Sequence, residues 1–247
     1  MFIKVYVTRQ ENCYDGHLPI IKNFVSTRTA LIDGPNIVKL RNNMKKNLRL
    51  PPKERQEQLE KFIVNAVAQY GISRVTHSHV AKLADVSVST VHFYFKRRED
   101  LVFAAIKQVE DFLIDIFTVN LEQKSVLDAM TDLAAAFVKE GFGNPDLIKV
   151  WLDWSAGINQ SVWRDYQDLL KDLHERVRKV LSRGKREKIL PKDFNTMAAT
   201  RLYIGSGHTL QLMIFDGASK QDLVIFQKNM LRAIFHSGDP IPTSPKN

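Results

Sequence analysis

The sequence predicts an all-α protein in two parts, a three-helix unit near the N-terminus and a larger helical body behind it, on three observations. From Pro52 onward apolar residues recur at three- and four-residue steps almost without a break. Hydroxyl residues stand where short helices need their first N–H groups capped, at Thr76 and Ser87. The chain has 247 residues, 44% of them hydrophobic, with no internal repeat and no low-complexity block, enough to bury a small domain and a larger one.

Taken in order, residues 1–43 alternate strand-like pieces, FIKVYV and LPIIKNFV, with turn signals at Asp15-Gly16 and Asp33-Gly34-Pro35. They read either as a loosely structured extension or as a small accessory element. A basic arm and a helix-turn-helix unit are predicted over 44–98. In it Leu59, Phe62, Ile63, Ala66, Val67 and Tyr70 line one face of a first helix that stops at Gly71. Thr76 caps a short second helix carrying Val80, Ala81 and Leu83, Asp85-Val86 make the turn, and Ser87 caps a third helix reaching Phe95. After Lys96-Arg97-Arg98, Glu99 and Asp100 occupy the first turn of a long fourth helix, where the dipole favours acids. Further helices are expected at 125–140, 145–156, 159–184, 193–215 and 219–236, so that 99–238 form a regulatory and dimerisation domain. The tail from 239 to 247, rich in proline, reads as loose.

Charge and cysteine content narrow the function. A formal net charge of +9 favours an anionic partner, nucleic acid or membrane surface. Cys13 is the single cysteine, which excludes an intramolecular disulfide and Cys-rich zinc modules and suits a reducing cytoplasm. No apolar run has the length of a membrane span and the start lacks a secretory cleavage pattern, so a soluble, cytoplasmic protein without membrane association is expected. No G-x-S-x-G, histidine-rich metal set or activated cysteine appears, so an enzyme is not expected, and no cofactor is called for.

Two short helices across a tight turn beneath a longer one outline a helix-turn-helix whose second helix would read DNA, although an ordinary helical hairpin has the same periodicity. Its outward residues would be Ser87, Ser89, Thr90, Phe93 and Tyr94, while Val86, Val91 and Phe95 hold it to the core. Hydroxyls there can bond phosphates or bases, and a ring can lie against a thymine methyl.

The stretch THSHVAKLADVSVSTVHFYFKRREDL resembles the DNA-binding signature of the TetR family, with Ala81, Ala84, Val86-Ser87, Tyr94-Phe95 and Asp100-Leu101 in register. KVWLDWSAG at 149–157 and the arm KKNLRLPPKER are similar to the LuxR/HapR-type quorum-sensing master regulators within it. The resemblance implies a transcription regulator that binds a pseudo-palindromic operator in double-stranded DNA as a homodimer. Thr76, Ser87, Thr90 and Tyr94 would meet the DNA backbone, Ser89 and Phe93 would lie near base edges, and Lys96 would hold a flanking phosphate. Lys45, Lys46 and Arg49 would follow an adjacent minor groove or the phosphates, where the residue-level alternative is a solvated basic linker. His92 stands where an aromatic is usual, Phe93 replaces a polar Asn and Asp85 replaces a turn glycine, so the operator sequence is not transferable.

In the body, Trp151, Trp154 and Ser155, with Phe137 and Phe142 near in sequence, read either as plain core or as the lining of a pocket for a small apolar or amphipathic ligand. A helical small-molecule-binding protein or enzyme using that pocket is the alternative function. The basic run 176–188 reads as a solvated helix end, His77-x-His79 lacks further metal ligands, and the glycines of 205–207 suit close helix contact rather than a phosphate loop. Met197, Ala198, Arg201, Leu202, Gly205 and Leu212, with Phe226, Met230 and Phe235 from the last helix, are expected at a two-fold interface, or else against the chain's own core.

Overall fold

The computed structural model describes residues 50–118, 124–158 and 161–235, and over these ranges the chain is helical and connected by loops. The expectations for residues 1–49 and 236–247, including the arm residues Lys45, Lys46 and Arg49 and the boundary at 43/44, lie outside the described residues.

α1, Pro52–Tyr70, begins on a proline in its first turn and ends at Gly71, whose φ of 84° puts the chain in the left-handed region where a Cβ is strained. Its apolar face buries Leu59, Ile63, Val64, Ala66 and Val67, the face the sequence period implies with Val64 added. α2, His77–Ala84, starts at Thr76, whose Oγ1 accepts the His79 N–H at 3.4 Å. α3, Val88–Tyr94, starts at Ser87, whose Oγ accepts the Thr90 N–H at 3.1 Å. Between them Asp85 sits at φ 54°, ψ 48°, a left-handed residue closing α2. An aspartate tolerates that conformation better than most side chains because its short carboxylate bonds locally.

α4, Arg98–Thr118, runs from the three-helix unit into the body. α5, Val126–Gly143, is capped by Ser125 and continues past its expected end at residue 140. Gly141 keeps a helical backbone rather than a left-handed stop, and the Gln211 side chain occupies the place a Cβ would take. α6, Pro145–Ala156, follows after Asn144, and α7, Trp163–Arg186, ends in Arg183, Lys185 and Arg186. Arg183 is not solvated as that cationic run suggested: its side chain is largely buried and donates to the Lys124 carbonyl at 2.6 Å. α8, Thr196–Phe215, is capped by Asn195, and α9, Lys220–Phe235, packs along it.

The described residues from Leu50 to Phe235 belong to one compact unit, and a continuous apolar core passes from the head, α1–α3, into the body without a boundary at residue 98. α1 packs against α2, α4 and α6, while α8 packs against α5, α7 and α9. The head is therefore seated on the body by two helices, α4 and α6.

The turn residue offers a direct check on this local reading. Asp85→Gly should leave stability within about 1 kcal/mol of the parent or raise it, whereas Asp85→Val should cost about 1–2 kcal/mol. Urea denaturation followed by circular dichroism measures both.

Candidate nucleic-acid interface

The outer surface of the head is built on α3. Val91 and Phe95 are buried and Val86 packs on the core, which fixes the roll of the helix. The same roll turns Ser87, Val88, Ser89, His92 and Phe93 outward and leaves Thr90 and Tyr94 half-buried at the edges. Phe93 is 70% exposed, and its ring meets Tyr94 edge-on with centroids 5.1 Å apart. The hydroxyls form a chain, Ser87 Oγ lying 2.8 Å from both Ser89 Oγ and Thr90 Oγ1.

Histidines brace this surface from behind. Buried His77 donates from Nε2 to the Phe95 carbonyl at 2.7 Å, so it holds the last turn of α3. The His77 ring stacks on His92 at 3.7 Å, and His79 stacks on Tyr70 at 3.7 Å. The H-x-H spacing thus serves the junction of α1, α2 and α3. Past α3, the Arg97 N–H donates to Asp100 Oδ2 at 2.8 Å, which closes the first turn of α4 and leaves Lys96 and Arg97 exposed beside the outer surface of α3. That N–H, followed by the Arg97 charge, holds the Asp100 carboxyl below the usual carboxylate range.

The structure brings Thr76, Ser87, Ser89, Thr90, Phe93, Tyr94 and Lys96 onto the α2–α3 portion of the head, all at least partly open to solvent. Sequence reasoning did not find His77, which lies under this surface, nor the polar ties that seat the head on the body. Asn65 of α1 donates to Asp146 Oδ2 at 2.7 Å, and the Ile72 N–H donates to Asp153 Oδ2 at 2.7 Å. Arg98 Nη1 donates to the Ile72 carbonyl at 2.8 Å. Both backbone polar groups of Ile72 are therefore held, each from a different helix.

In the body, Phe137 and Trp151 meet edge to face at 5.4 Å and line an apolar cavity of about 30 Å³ with Leu113, Phe117, Tyr203 and Met230. The other three residues assigned to a pocket do not line it. Phe142 is 50% exposed on the outer side of α5. Trp154 is fully buried elsewhere, donating from Nε1 to the Val162 carbonyl at 2.8 Å, and Ser155 donates to the Leu152 carbonyl at 2.8 Å. Three residues along one helix turn differ by about 300°, so Trp151 and Trp154 flank the same side yet reach different neighbours at different heights.

Polar groups edge this cavity region. His208 lies against Trp151 with centroids 4.1 Å apart and faces the Tyr166 hydroxyl at 3.4 Å. Burial pushes its pKa down, with a hydrogen bond to the Ile204 carbonyl partly opposing the shift. Burial raises the Tyr166 and Tyr203 phenols, and the Tyr203 hydroxyl donates to the Met130 carbonyl at 2.6 Å. Gln211, wholly buried, donates from Nε2 to the Phe137 carbonyl at 2.9 Å.

A head of this form, with a capped short helix turned outward beyond a tight turn, defines a helix-turn-helix module on an all-helical body. Residues 64–105 match the family model for bacterial regulatory proteins of the tetR family. The chain is 33% identical over 119 residues to the HTH-type transcriptional regulator LuxR of Vibrio harveyi, a match covering 47% of this chain and 57% of that protein. The fatty acid degradation regulator FadR from Bacillus halodurans superposes with a TM-score of 0.62 at 20% identity, over 77% of this chain and 98% of that one. FadR from Bacillus subtilis, in complex with stearoyl-CoA, gives 0.60 at 19% identity, over 72% and 97%. The chain thus carries a segment that matches the tetR family of bacterial regulatory proteins, and it is similar to LuxR over a match that spans little more than half of that protein's length.

The lowered pKa of His208 predicts a pH effect with a definite sign. Because its folded pKa lies below the unfolded one, the unfolded state binds more protons, and stability falls as pH drops below about 6.5. Melting of the parent between pH 7.5 and 5.5 should therefore show a loss of no more than about 1.4 kcal/mol per pH unit from this group. His208→Gln should flatten that part of the profile. His174, lowered by burial and by Arg201, contributes with the same sign and leaves a residual slope.

Proposed function

We propose that the protein is a sequence-specific DNA-binding transcription regulator that engages a pseudo-palindromic operator as a homodimer. The observation that carries this reading is the outward roll of α3: Ser87, Ser89, Thr90, Phe93 and Tyr94 are displayed on a helix fixed from below by Val91 and Phe95. In this reading Thr76, Ser87, Thr90 and Tyr94 take the phosphate backbone, Ser89 and Phe93 lie by the base edges, Lys96 holds a flanking phosphate, and Lys45, Lys46 and Arg49, outside the described residues, serve the adjacent minor groove or the phosphates. One short helix covers only a few base pairs, so a second copy is needed for a full site.

The second copy has a surface to meet. Along α8, Met197, Leu202 and Leu212 are 53%, 59% and 57% exposed, apolar side chains that a second copy would cover. Gly205 lies among them, and nothing stands within 4 Å of where its Cβ would be. α9 contributes less than its sequence suggested. Met230 is buried in the chain's own core and lines the cavity, while Phe226 and Phe235 pack against that core, so α9 offers Ile225 instead.

A small apolar or amphipathic ligand is the finer part of the reading. A cavity of about 30 Å³ holds about two waters and falls far below the ~300 Å³ of a ligand pocket, so entry requires Phe137, Trp151 or Met230 to move. No helix among the described residues is long and apolar enough to cross a membrane. A transcription regulator of this kind would work on DNA in the cytoplasm and would not be an enzyme.

Fluorescence anisotropy with duplex DNA tests the assignment. Thr90→Ala and Tyr94→Ala should each weaken binding about tenfold, near the cost of one good contact, with the helical spectrum unchanged. Parental affinity in both would remove α3 from the interface. In sedimentation the parent should run as a dimer and Gly205→Trp as a folded monomer. A monomeric parent at micromolar concentration would refute the homodimer.

A further inference from the structure

We infer that the reading helix selects thymine by its methyl group, with Phe93 as the specificity-determining residue; this rests on the DNA-binding reading above. The inference begins with what α3 lacks. Val88–Tyr94 contains no arginine, lysine, asparagine, glutamine, aspartate or glutamate. Bidentate recognition of guanine by Arg or Lys, of adenine by Asn or Gln, and acceptance from cytosine by a carboxylate are all closed to it.

The hydroxyls cannot substitute for those readers. Ser87, Ser89 and Thr90 own three hydroxyl protons, and the two contacts of 2.8 Å between them consume two. The Ser87 oxygen also accepts the Thr90 N–H. One O–H donor stays free while these contacts hold, beside lone pairs that can accept, and single hydroxyls bond phosphates and several base edges alike, so the trio positions the helix without telling four bases apart. His92 is turned outward with one ring face covered by His77 at the start of α2, and its open edge makes single hydrogen bonds rather than the bidentate pairs that distinguish guanine or adenine.

Apolar surface is what the helix does present. Phe93 has the greatest exposure of the large hydrophobic side chains described, 70%, and Val88 at the opening of the helix is 40% exposed. Phe93 follows Ser89 by one turn and shares its side, so the one strip carries both a hydroxyl and a ring. The Phe93 ring meets Tyr94 edge-on and leaves most of its surface open. In the major groove the C5-methyl of thymine is the apolar feature among the base edges, and it is the group that such a ring can bury.

Selection from a random duplex pool with the full chain, followed by affinity measurements on the selected site at fixed salt, tests this. Selected half-sites should keep thymine at fixed positions. Replacing those thymines by uracil, which removes the methyl and leaves the pairing edge intact, should weaken binding roughly three- to fivefold per position. Phe93→Ala should weaken binding to the thymine duplex and make the protein nearly indifferent to uracil, while Phe93→Leu should retain part of the discrimination. Melting temperatures close to the parent's would show that both variants fold, as the exposure of the side chain implies. Equal affinity for thymine and uracil sites, or a Phe93→Ala variant as uracil-sensitive as the parent, would overturn the inference while leaving the DNA-binding reading intact. A pool that yields no enriched sequence would overturn both.

Discussion

The peptide of Ile72 is the point on which the arrangement of the chain depends. Its N–H is given to Asp153 of α6 and its carbonyl to Arg98 of α4, so the loop leaving α1 is clamped by two helices of the body. Ile72 itself is buried. An unpaired backbone group in such a place costs about 1–3 kcal/mol, which makes the clamp strongly preferred over a loosened loop. The direction of α2 and α3, and with it the reading surface, follows from where this peptide is held.

α6 has three obligations along twelve residues. Asp146 and Asp153, two turns apart, meet Asn65 and Ile72, also seven apart, so α6 and α1 run side by side in one direction with matched register. Trp151 faces Phe137 and His208 beside the cavity. Trp154 is tied to the Val162 carbonyl at the entry to α7. Packed interiors transmit displacement rather than absorb it, so a shift of α6 against the cavity carries the Ile72 peptide with it. The geometry thereby connects the interior of the body to the pose of the head through one short helix.

Much of this was legible in the sequence because it is local. Thr76 and Ser87 cap the helices that their spacing implies, Asp85 takes the left-handed turn, and α1 buries the face its period defines. The two-helix outline and the outward set on α3 follow from those features alone. What was not legible depends on partners distant in the chain. Nothing near Asp153 announces that its acceptor duty lies 81 residues back, and Gln211 looks like an ordinary polar residue until Gly141 makes room for it. Trp151 and Trp154 read as a pair and serve different neighbours, while Phe142, apolar by type, faces outward. Met230, expected at a two-fold interface or else in the chain's own core, lines the chain's own cavity, because α9 turns that side inward against α8 and α5.

The seating of the head on α6 also bears on how the chain comes off the ribosome. α1, α2 and α3 are complete once Phe95 has been made, yet the acceptor for the Ile72 N–H arrives about sixty residues later, a delay of roughly 3–12 s at ordinary elongation rates. During that interval the nascent head has its caps and its turn but lacks the helix that covers the flank of α1. The three-helix unit is thus a late-maturing part of the molecule despite being early in the chain, and its exposed flank is a surface for the cell's folding machinery to guard.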